Sequence, residues 1–340
     1  MKRARSRKAL RLGLTPGCPA GIGPEVLARA LVEAELPKDA RLRFFSSAAV
    51  LALGAKRAGV PWVFEEPLLV LGRGRRRVRV EVAAPDPGEP GSRTRPGRPD
   101  DAALQCQRDA LVRACVAAAA GNLEALVTGP VRKRALVVDG EVFPGQTEVF
   151  HAVVAPEFPP PLMVFVGGPF VLGLATVHLP LADVSAALTP TLLDRALDHL
   201  HAAARKVTRK RAPRLVVLGV NPHAGEGGLF GREEQEVVAP AIARARARGC
   251  KVEGPVPADG FYADHARGRP PPDAVLAMHH DQALAPYKLL CAGEGVNVTW
   301  GLPVVRTSPD HGTADALAGK GKASCLSMRQ ALETAVRLAT

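Results

Sequence analysis

Three histidines, His178, His223 and His280, occupy matching positions in this chain. Each follows an apolar, β-branched run that reads as a buried strand: VLGLATV before His178, RLVVLGV before Asn221-Pro222-His223, and DAVLAM before His279-His280. In α/β proteins the C-terminal ends of strands are where ligands bind. Histidines so far apart in sequence meet only through a folded core. That favours a catalytic metal with open coordination positions over a local zinc knuckle. Neutral imidazoles suit zinc, cobalt or another transition ion, with magnesium also open. Asp281 is next to His280, and Asp259 closes the segment GPVPAD; either carboxylate can orient a histidine or relay a proton.

The elements that must position these groups alternate between strand and helix patterns, which predicts an α/β fold of α/β/α layers. Strands are expected at 11–15, 41–47, 77–82 and 124–130, and helices at 24–35, 101–120, 190–206, 231–248 and 327–339. The stretch 158–181 carries no formal charge, but Gly167-Gly168-Pro169 divides it into two short strands, so it is not a membrane helix. The Pro-, Gly- and charge-rich stretch 83–101 reads as an exposed loop. With 340 residues the chain is long enough for two lobes.

Composition narrows the function classes. The chain is 47% hydrophobic and 23% charged, as expected of a globular protein. Six scattered cysteines without a CxxC pair point to a reducing, cytoplasmic compartment. No apolar core follows the basic start before TPGCPAG, so no signal peptide is expected. The net charge of +12 gathers in 1–11, 73–79, 205–214 and 244–248. These runs read as a basic tail and solvated arginine faces that would also draw in anionic substrates. The competing reading is a nucleic-acid-binding protein on a degenerate enzyme scaffold. Aromatics at 4% leave few stacking platforms for single strands, and the complete histidine trio argues against degeneracy.

Two glycine-bearing segments remain. PAGIGPEV turns from a strand into a helix, but the chain contains neither GxGxxG nor GxxxxGK[ST]. Gly21 and Gly23 therefore serve either a tight turn or a ligand. HGTADALAGKG (311–321) resembles the nucleotide-binding loop of the isocitrate and isopropylmalate dehydrogenases, metal-dependent oxidative decarboxylases without a Rossmann motif.

Taken in order, TPGCPAGIGPEV, VTGPVRK, FPGQTEVF, ATVHLPL, NPHAGEGGLFGREE, GPVPAD, MHHDQALAPYK and GVNVTWGLPVVRTSPDHGTA resemble the 4-hydroxythreonine-4-phosphate dehydrogenase family over residues 11–339. The resemblance implies two α/β/α lobes around a central cleft, as in isocitrate and isopropylmalate dehydrogenases, with 1–130 plus 305–340 as the first lobe and 131–304 as the second. It implies NAD-dependent, divalent-metal-dependent oxidation and decarboxylation of 4-phosphohydroxy-L-threonine to 3-amino-2-oxopropyl phosphate, in pyridoxal 5′-phosphate biosynthesis. His178, His223 and His280 match the metal ligands, the third of which comes from the partner subunit of a homodimer that shares its active site. Gln146, Thr147, Lys288, Asn297 and Arg306 match substrate positions, and His311, Gly312, Thr313 and Ala314 match the cofactor loop. Asp259, Asp281 and Lys288 are the candidates for catalytic proton transfer.

The chain departs from the family pattern at two places. Where the family reads GHTE, this sequence has Gly145-Gln146-Thr147-Glu148, so a group able to carry charge becomes a neutral amide. Arg132 stands where the family has His or Asn, adding a cation that could compensate. A sister dehydrogenase of 4-phospho-threonate or 4-phospho-erythronate is therefore the alternative.

Overall fold

The computed structural model describes residues 9–83 and 94–340, in two compact units. The first eight residues of the basic start and residues 84–93 of the expected loop lie outside the described residues. The first unit comprises 1–158 and 302–340, and the second 159–301. The unit borders fall at 158/159 and 301/302, whereas the sequence reading drew its lobes at 130/131 and 304/305. Residues 131–158 belong with the first unit for a packing reason. Leu136, Phe143, Val149 and Phe150 share one buried cluster with Leu111, Ala114, Cys115 and Leu126.

The first unit opens with β1 (Arg11–Thr15), α1 (Gly23–Glu33), β2 (Arg41–Phe44) and α2 (Ala48–Ala58). There follow β3 (Trp62–Glu65), β4 (Leu68–Leu71), β5 (Val78–Val82), α3 (Asp101–Ala119) and β6 (Ala125–Thr128). A small hairpin of β7 (Val137–Val138) and β8 (Glu141–Val142) precedes α4 (Gln146–Val154).

The second unit contributes β9 (Leu162–Val166), β10 (Val171–Leu174), a single-turn α5 (Val184–Ala187), α6 (Pro190–Thr208) and β11 (Arg214–Leu218). It continues with α7 (Ala239–Ala247), β12 (Lys251–Val256), α8 (Ala258–Ala266), β13 (Ala274–Ala277), α9 (His280–Cys291) and β14 (Val296–Trp300). The chain then returns to the first unit with β15 (Val305–Pro309) and α10 (Leu326–Ala339).

In the first unit the strand order is β15-β6-β1-β2-β5-β4-β3. The first five run parallel, and β4 and β3 add antiparallel at the edge. In the second the order is β12-β11-β13-β10-β9-β14, with β12 to β10 parallel, β9 antiparallel to β10, and β14 antiparallel to β9. The central strands β6, β10 and β13 are buried at every position, which is why they read as unbroken apolar runs. The expected mixed α/β architecture is present. Among the described residues no helix is long and apolar enough to cross a membrane, and all six cysteines are buried thiols outside any disulfide.

Local chemistry fixes the helix starts. The Asp100 carboxylate accepts from Ala103 N at 2.8 Å, and Thr189 Oγ1 accepts from Leu192 N ahead of Pro190. The arginine run on α7 is largely paired at the surface: Arg244 with Asp194 at 2.9 Å and Arg248 with Asp198 at 2.9 Å. Such pairs add little stability each, but they neutralise part of this basic face.

Candidate active site

The topology of the second unit explains how its histidines come to one edge. Strands β11, β13 and β10 are parallel neighbours, so their C-terminal ends point the same way. Beyond the ladder, Ala175 N donates to Ala277 O and Thr176 N to Met278 O, and Thr176 Oγ1 adds a 2.7 Å bond to the same Met278 carbonyl. This zip brings the rings of His178 and His280 to 6.0 Å between centroids. Gln282, which closes the MHHDQ motif but was not itself singled out, links two strand ends: it accepts from Met278 N at 2.7 Å and donates to Gly219 O at 2.6 Å. His279 caps the first turn of α9 by accepting from Gln282 N, and burial is the main cause holding its imidazole below the usual range.

His280 Nδ1 lies 2.8 Å from the Asp281 carboxylate. That contact fixes the ring and leaves Nε2 as the nitrogen able to bind an ion, the usual arrangement around a metal-ligating histidine. The hydrogen bond to His280 holds the Asp281 carboxyl below the ordinary carboxylate range.

His223 is not part of that pair; its ring lies 6.1 Å from that of Phe230. It begins a run of five residues, His223 to Gly227, with left-handed φ between 41° and 80°. Three of these are not glycine, and each costs of order 1–2 kcal/mol. A single buried carboxylate holds the turn that leads into them. Glu234 accepts from Val220 N and Asn221 N at 2.7 Å each, and from Asn221 Nδ2 at 3.0 Å. Glu234 lies in a π-helical turn, Glu234–Val238, that opens the helix expected at 231–248. Gly225 must be glycine on two counts: its φ is 80°, and a Cβ would lie 2.7 Å from Glu234 Oε2.

Among the described residues no group of three or more His, Cys, Asp or Glu side chains closes into a metal-holding set within one chain. The structure thus joins His178 and His280 and supplies two imidazoles, one already ordered by a carboxylate. That donor set fits a divalent ion completed from elsewhere. Asp259 is exposed in the first turn of α8, and Lys288 is exposed near the end of α9. Asn297 lies on β14 opposite Phe165, with its Oδ1 buried and without a partner among the described residues.

The remaining candidates lie in the first unit. Arg306, on β15, is 2% exposed. Its Nε donates to Thr128 Oγ1 at the end of β6 (3.1 Å), and Nη1 donates to Thr147 Oγ1 in the first turn of α4 (3.3 Å). Burial lowers the Arg306 pKa to about 10, so the guanidinium keeps its charge at neutral pH. A cation beside the N-terminal turn of a helix makes an anion cradle. Gln146, at the head of the same helix, donates to Gly129 O at 3.2 Å and has a buried, unpartnered Oε1.

Arg132 differs from the expected free cation. Its backbone is gripped on both sides by Gln107 (2.9 and 3.0 Å), and its side chain forms an ion pair with Asp315. It is therefore not a spare charge replacing the histidine lost at Gln146. The glycine turn is explained by packing. A Cβ on Gly21 would lie 2.9 Å from Thr313, and one on Gly23 would lie 2.0 Å from Pro16 O. The 311–321 loop rests on that turn: Ile22 N donates to Thr313 O, while Gly319 N and Gly321 N donate to the buried Glu25. Unpaired atoms on the loop, His311 Nε2 and Asp315 Oδ1, fit a polar ligand there. Glu25, Glu234, Gln282 and Asp315 lie within the quoted motifs but were not singled out as site residues, because each acts by capping backbone groups or pairing with a residue distant in sequence.

A family profile described as pyridoxal phosphate biosynthetic protein PdxA matches residues 66–335. A 4-hydroxythreonine-4-phosphate dehydrogenase from Azoarcus sp. (strain BH72) is 42% identical over 330 residues, covering 96% of each chain. The crystal structure of the enzyme so named from Klebsiella pneumoniae has a TM-score of 0.76 at 31% identity, covering 98% of this chain and 99% of that one. A beta-decarboxylating dehydrogenase from Thermococcus kodakarensis shares the fold alone, with a TM-score of 0.52 at 14% identity, over 95% of this chain and 82% of that one. The chain belongs to the PdxA family, whose curated members are dehydrogenases.

Proposed function

We propose that this enzyme oxidises and decarboxylates 4-phosphohydroxy-L-threonine to 3-amino-2-oxopropyl phosphate, with NAD and a divalent metal, in pyridoxal 5′-phosphate biosynthesis. The observation that carries the reading is the His178–His280 pair with Asp281 on the His280 ring, at the C-terminal ends of parallel strands. The relatives named 4-hydroxythreonine-4-phosphate dehydrogenase support the substrate.

His178, His223 and His280 would hold zinc, cobalt or magnesium, and His311, Gly312, Thr313 and Ala314 would hold NAD. When bound, NAD supplies the hydride acceptor and the metal a Lewis acid for the substrate's hydroxyl oxygen. Arg306 and Thr147, at the head of α4, take an anionic group of the substrate, and the charge-assisted bonds fix its orientation. Gln146, Lys288 and Asn297 complete the substrate contacts. Asp281 keeps the His280 ring in register, and Asp259, Asp281 and Lys288 are the groups able to receive and return the hydroxyl proton.

A homodimer with a shared site accounts for two features. The imidazoles do not close into a set within one chain. Apolar side chains also stand exposed in the segments that follow each histidine: Leu181 at 73%, Leu229 at 74% and Leu289 at 85%. Bare apolar groups of this kind around a site mark a surface that another chain covers.

Gln146 favours a second reading, in which the substrate is 4-phospho-threonate or 4-phospho-erythronate. NADH formation measured with all three phosphorylated acids tests both. Turnover highest with 4-phosphohydroxy-L-threonine is expected. Preference for an acid without the amino group selects the second reading, and no NADH with any of them refutes both.

A further inference from the structure

The basic run 205–214 plays no part in the site described above. It closes α6 and turns toward β11, and its cations gather rather than scatter. Arg205, Lys206, Arg209, Lys210 and Arg211 line one open cavity of about 530 Å³, together with Trp300 from the end of β14. All of these residues belong to the second unit.

Local bonding holds both walls of the cavity. α6 ends on Arg209, which has a left-handed φ of 60° and donates its N–H to Arg205 O at 2.9 Å. Thr208 Oγ1 donates to Ala204 O at 2.7 Å and accepts from Lys210 N at 3.2 Å, which fixes the turn after the helix. His199, further back on α6, packs on the chain just past Trp300: a Cβ on Gly301 would lie 2.5 Å from its Cε1. Ala202, the small residue one turn on from His199, leaves room beside the indole.

The charge gathered here exceeds what the fold requires. Cations in the last turn of a helix offset its carbonyl dipole, but that dipole is worth only about half an elementary charge. Lys210 is paired with Asp273 at 2.7 Å. Arg205, Lys206, Arg209 and Arg211 have no carboxylate partner among the described residues. Their mutual repulsion favours an anion in the cavity. Trp300 is partly exposed, and among the described residues no other ring or guanidinium stacks on it.

Two ligand features suit these walls. Guanidinium forks pair with phosphate oxygens, and an indole face stacks on a base. One indole serves one base, whereas a single strand of nucleic acid needs a row of such platforms. A single phosphate carries up to about two negative charges, fewer than the unpaired cations, and a di- or triphosphate matches them better.

We propose that this cavity binds a nucleoside di- or triphosphate, with the base on Trp300 and the phosphates on Arg205, Lys206, Arg209 and Arg211. It is separate from the 311–314 loop, which belongs to the first unit.

The chain has two tryptophans, so in Trp62→Phe the emission of Trp300 alone reports on the cavity. Titration of this variant with ADP or ATP should quench that emission saturably. Inorganic triphosphate, which has the charge but no ring, should bind at least about tenfold more weakly than ATP. Calorimetry with ADP on the unaltered chain and on Trp300→Leu should show the same loss without relying on emission. Replacing both arginines, Arg205→Gln with Arg209→Gln, should weaken ADP by roughly ten- to hundredfold. The thermal midpoint of that variant should hold, because both side chains are exposed. Equal affinity for inorganic triphosphate and ATP overturns the proposal, since the ring is then not read. So does emission unmoved by ADP and ATP, or a single-stranded oligonucleotide that binds where ADP does not. Release of bound NADH by ADP with Trp300 unmoved places the nucleotide in the loop and overturns it as well.

Discussion

The surroundings of Arg306 and of the histidines solve opposite problems. Arg306 is a permanent charge on a buried strand, and removing it from water is tolerable only inside a finished cage. Thr128 and Thr147 supply part of that cage from the same unit of the same chain. The histidines are half-exposed or exposed, with one on a left-handed turn and only two brought together. Neutral imidazoles need no cage, and a catalytic metal requires open positions. One region is complete before anything binds. The other stands open, and in the proposed function an ion and a second copy would complete it.

The largest effect should come from the incomplete region. His178→Ala or His280→Ala is expected to remove most bound metal and to lower kcat by about a thousandfold or more. That corresponds to the several kcal/mol a Lewis acid contributes. The thermal midpoint of the metal-free protein should hardly move, since these side chains lie at the surface. Metal analysis and calorimetry on the same samples check both halves, and full metal occupancy in either variant contradicts the assignment. Mixing inactive His223→Ala with inactive His280→Ala subunits should restore part of the activity, because one site of the mixed dimer is then intact. No recovery after verified exchange would rule out a shared site.

The complete region should respond differently. Arg306→Lys keeps the charge but loses the planar fork that reaches two threonines at once. The KM for the phosphorylated substrate should rise roughly ten- to hundredfold, and thermal stability should fall as well, because buried hydroxyls lose their donors. Unfolding curves and initial rates together separate the two regions. If Arg306→Lys lost activity with no loss of stability, the contrast drawn above would fail.

Much of this was legible because parallel strands buried on both faces read as continuous apolar runs, and the histidines punctuate their ends. β1 and β6, and the helices α1, α3, α6 and α10, came from the same periodicity. The edge hairpin of β3 and β4 was missed because its pairing is antiparallel and β3 is exposed throughout. Helix α9 was hidden by Pro286 in its interior, which ordinarily ends a helical pattern. Residues 131–158 pack on α3 through contacts with no local signature, so the unit border was invisible. The partners of the site, Gln282 on Gly219, Glu234 on Val220 and Asp315 on Arg132, are single polar residues whose roles exist only after folding.

A mid-sized effect is expected at the turn that carries His223. Glu234→Gln leaves the volume unchanged but replaces a charged acceptor of two backbone N–H groups with a neutral one that brings its own donors. Stability should fall by about 1–3 kcal/mol, the range for a disturbed buried charged hydrogen bond. Faster amide exchange at Val220 and Asn221 would show that the loss lies in this turn. Unchanged exchange there would mean that Glu234 does not hold the loop.

The smallest effect belongs to the residue that most sets this sequence apart from its family. Gln146 heads α4 beside Thr147, and its amide donates to Gly129 O, a bond that a histidine ring nitrogen at this position could also make. Gln146→His adds a titratable group next to the Arg306 cage without removing any part of it. The kcat/KM for 4-phosphohydroxy-L-threonine should therefore change by less than about tenfold, the scale of one ordinary hydrogen bond. A larger gain with this substrate, together with a loss on 4-phospho-threonate, would show that Gln146 tunes the cage to a different acid. A gain common to both would show that position 146 governs phosphate affinity alone. Either result would mean that the complete region is not finished by Arg306 and its threonines, but is set by the residue at the head of the helix beside them.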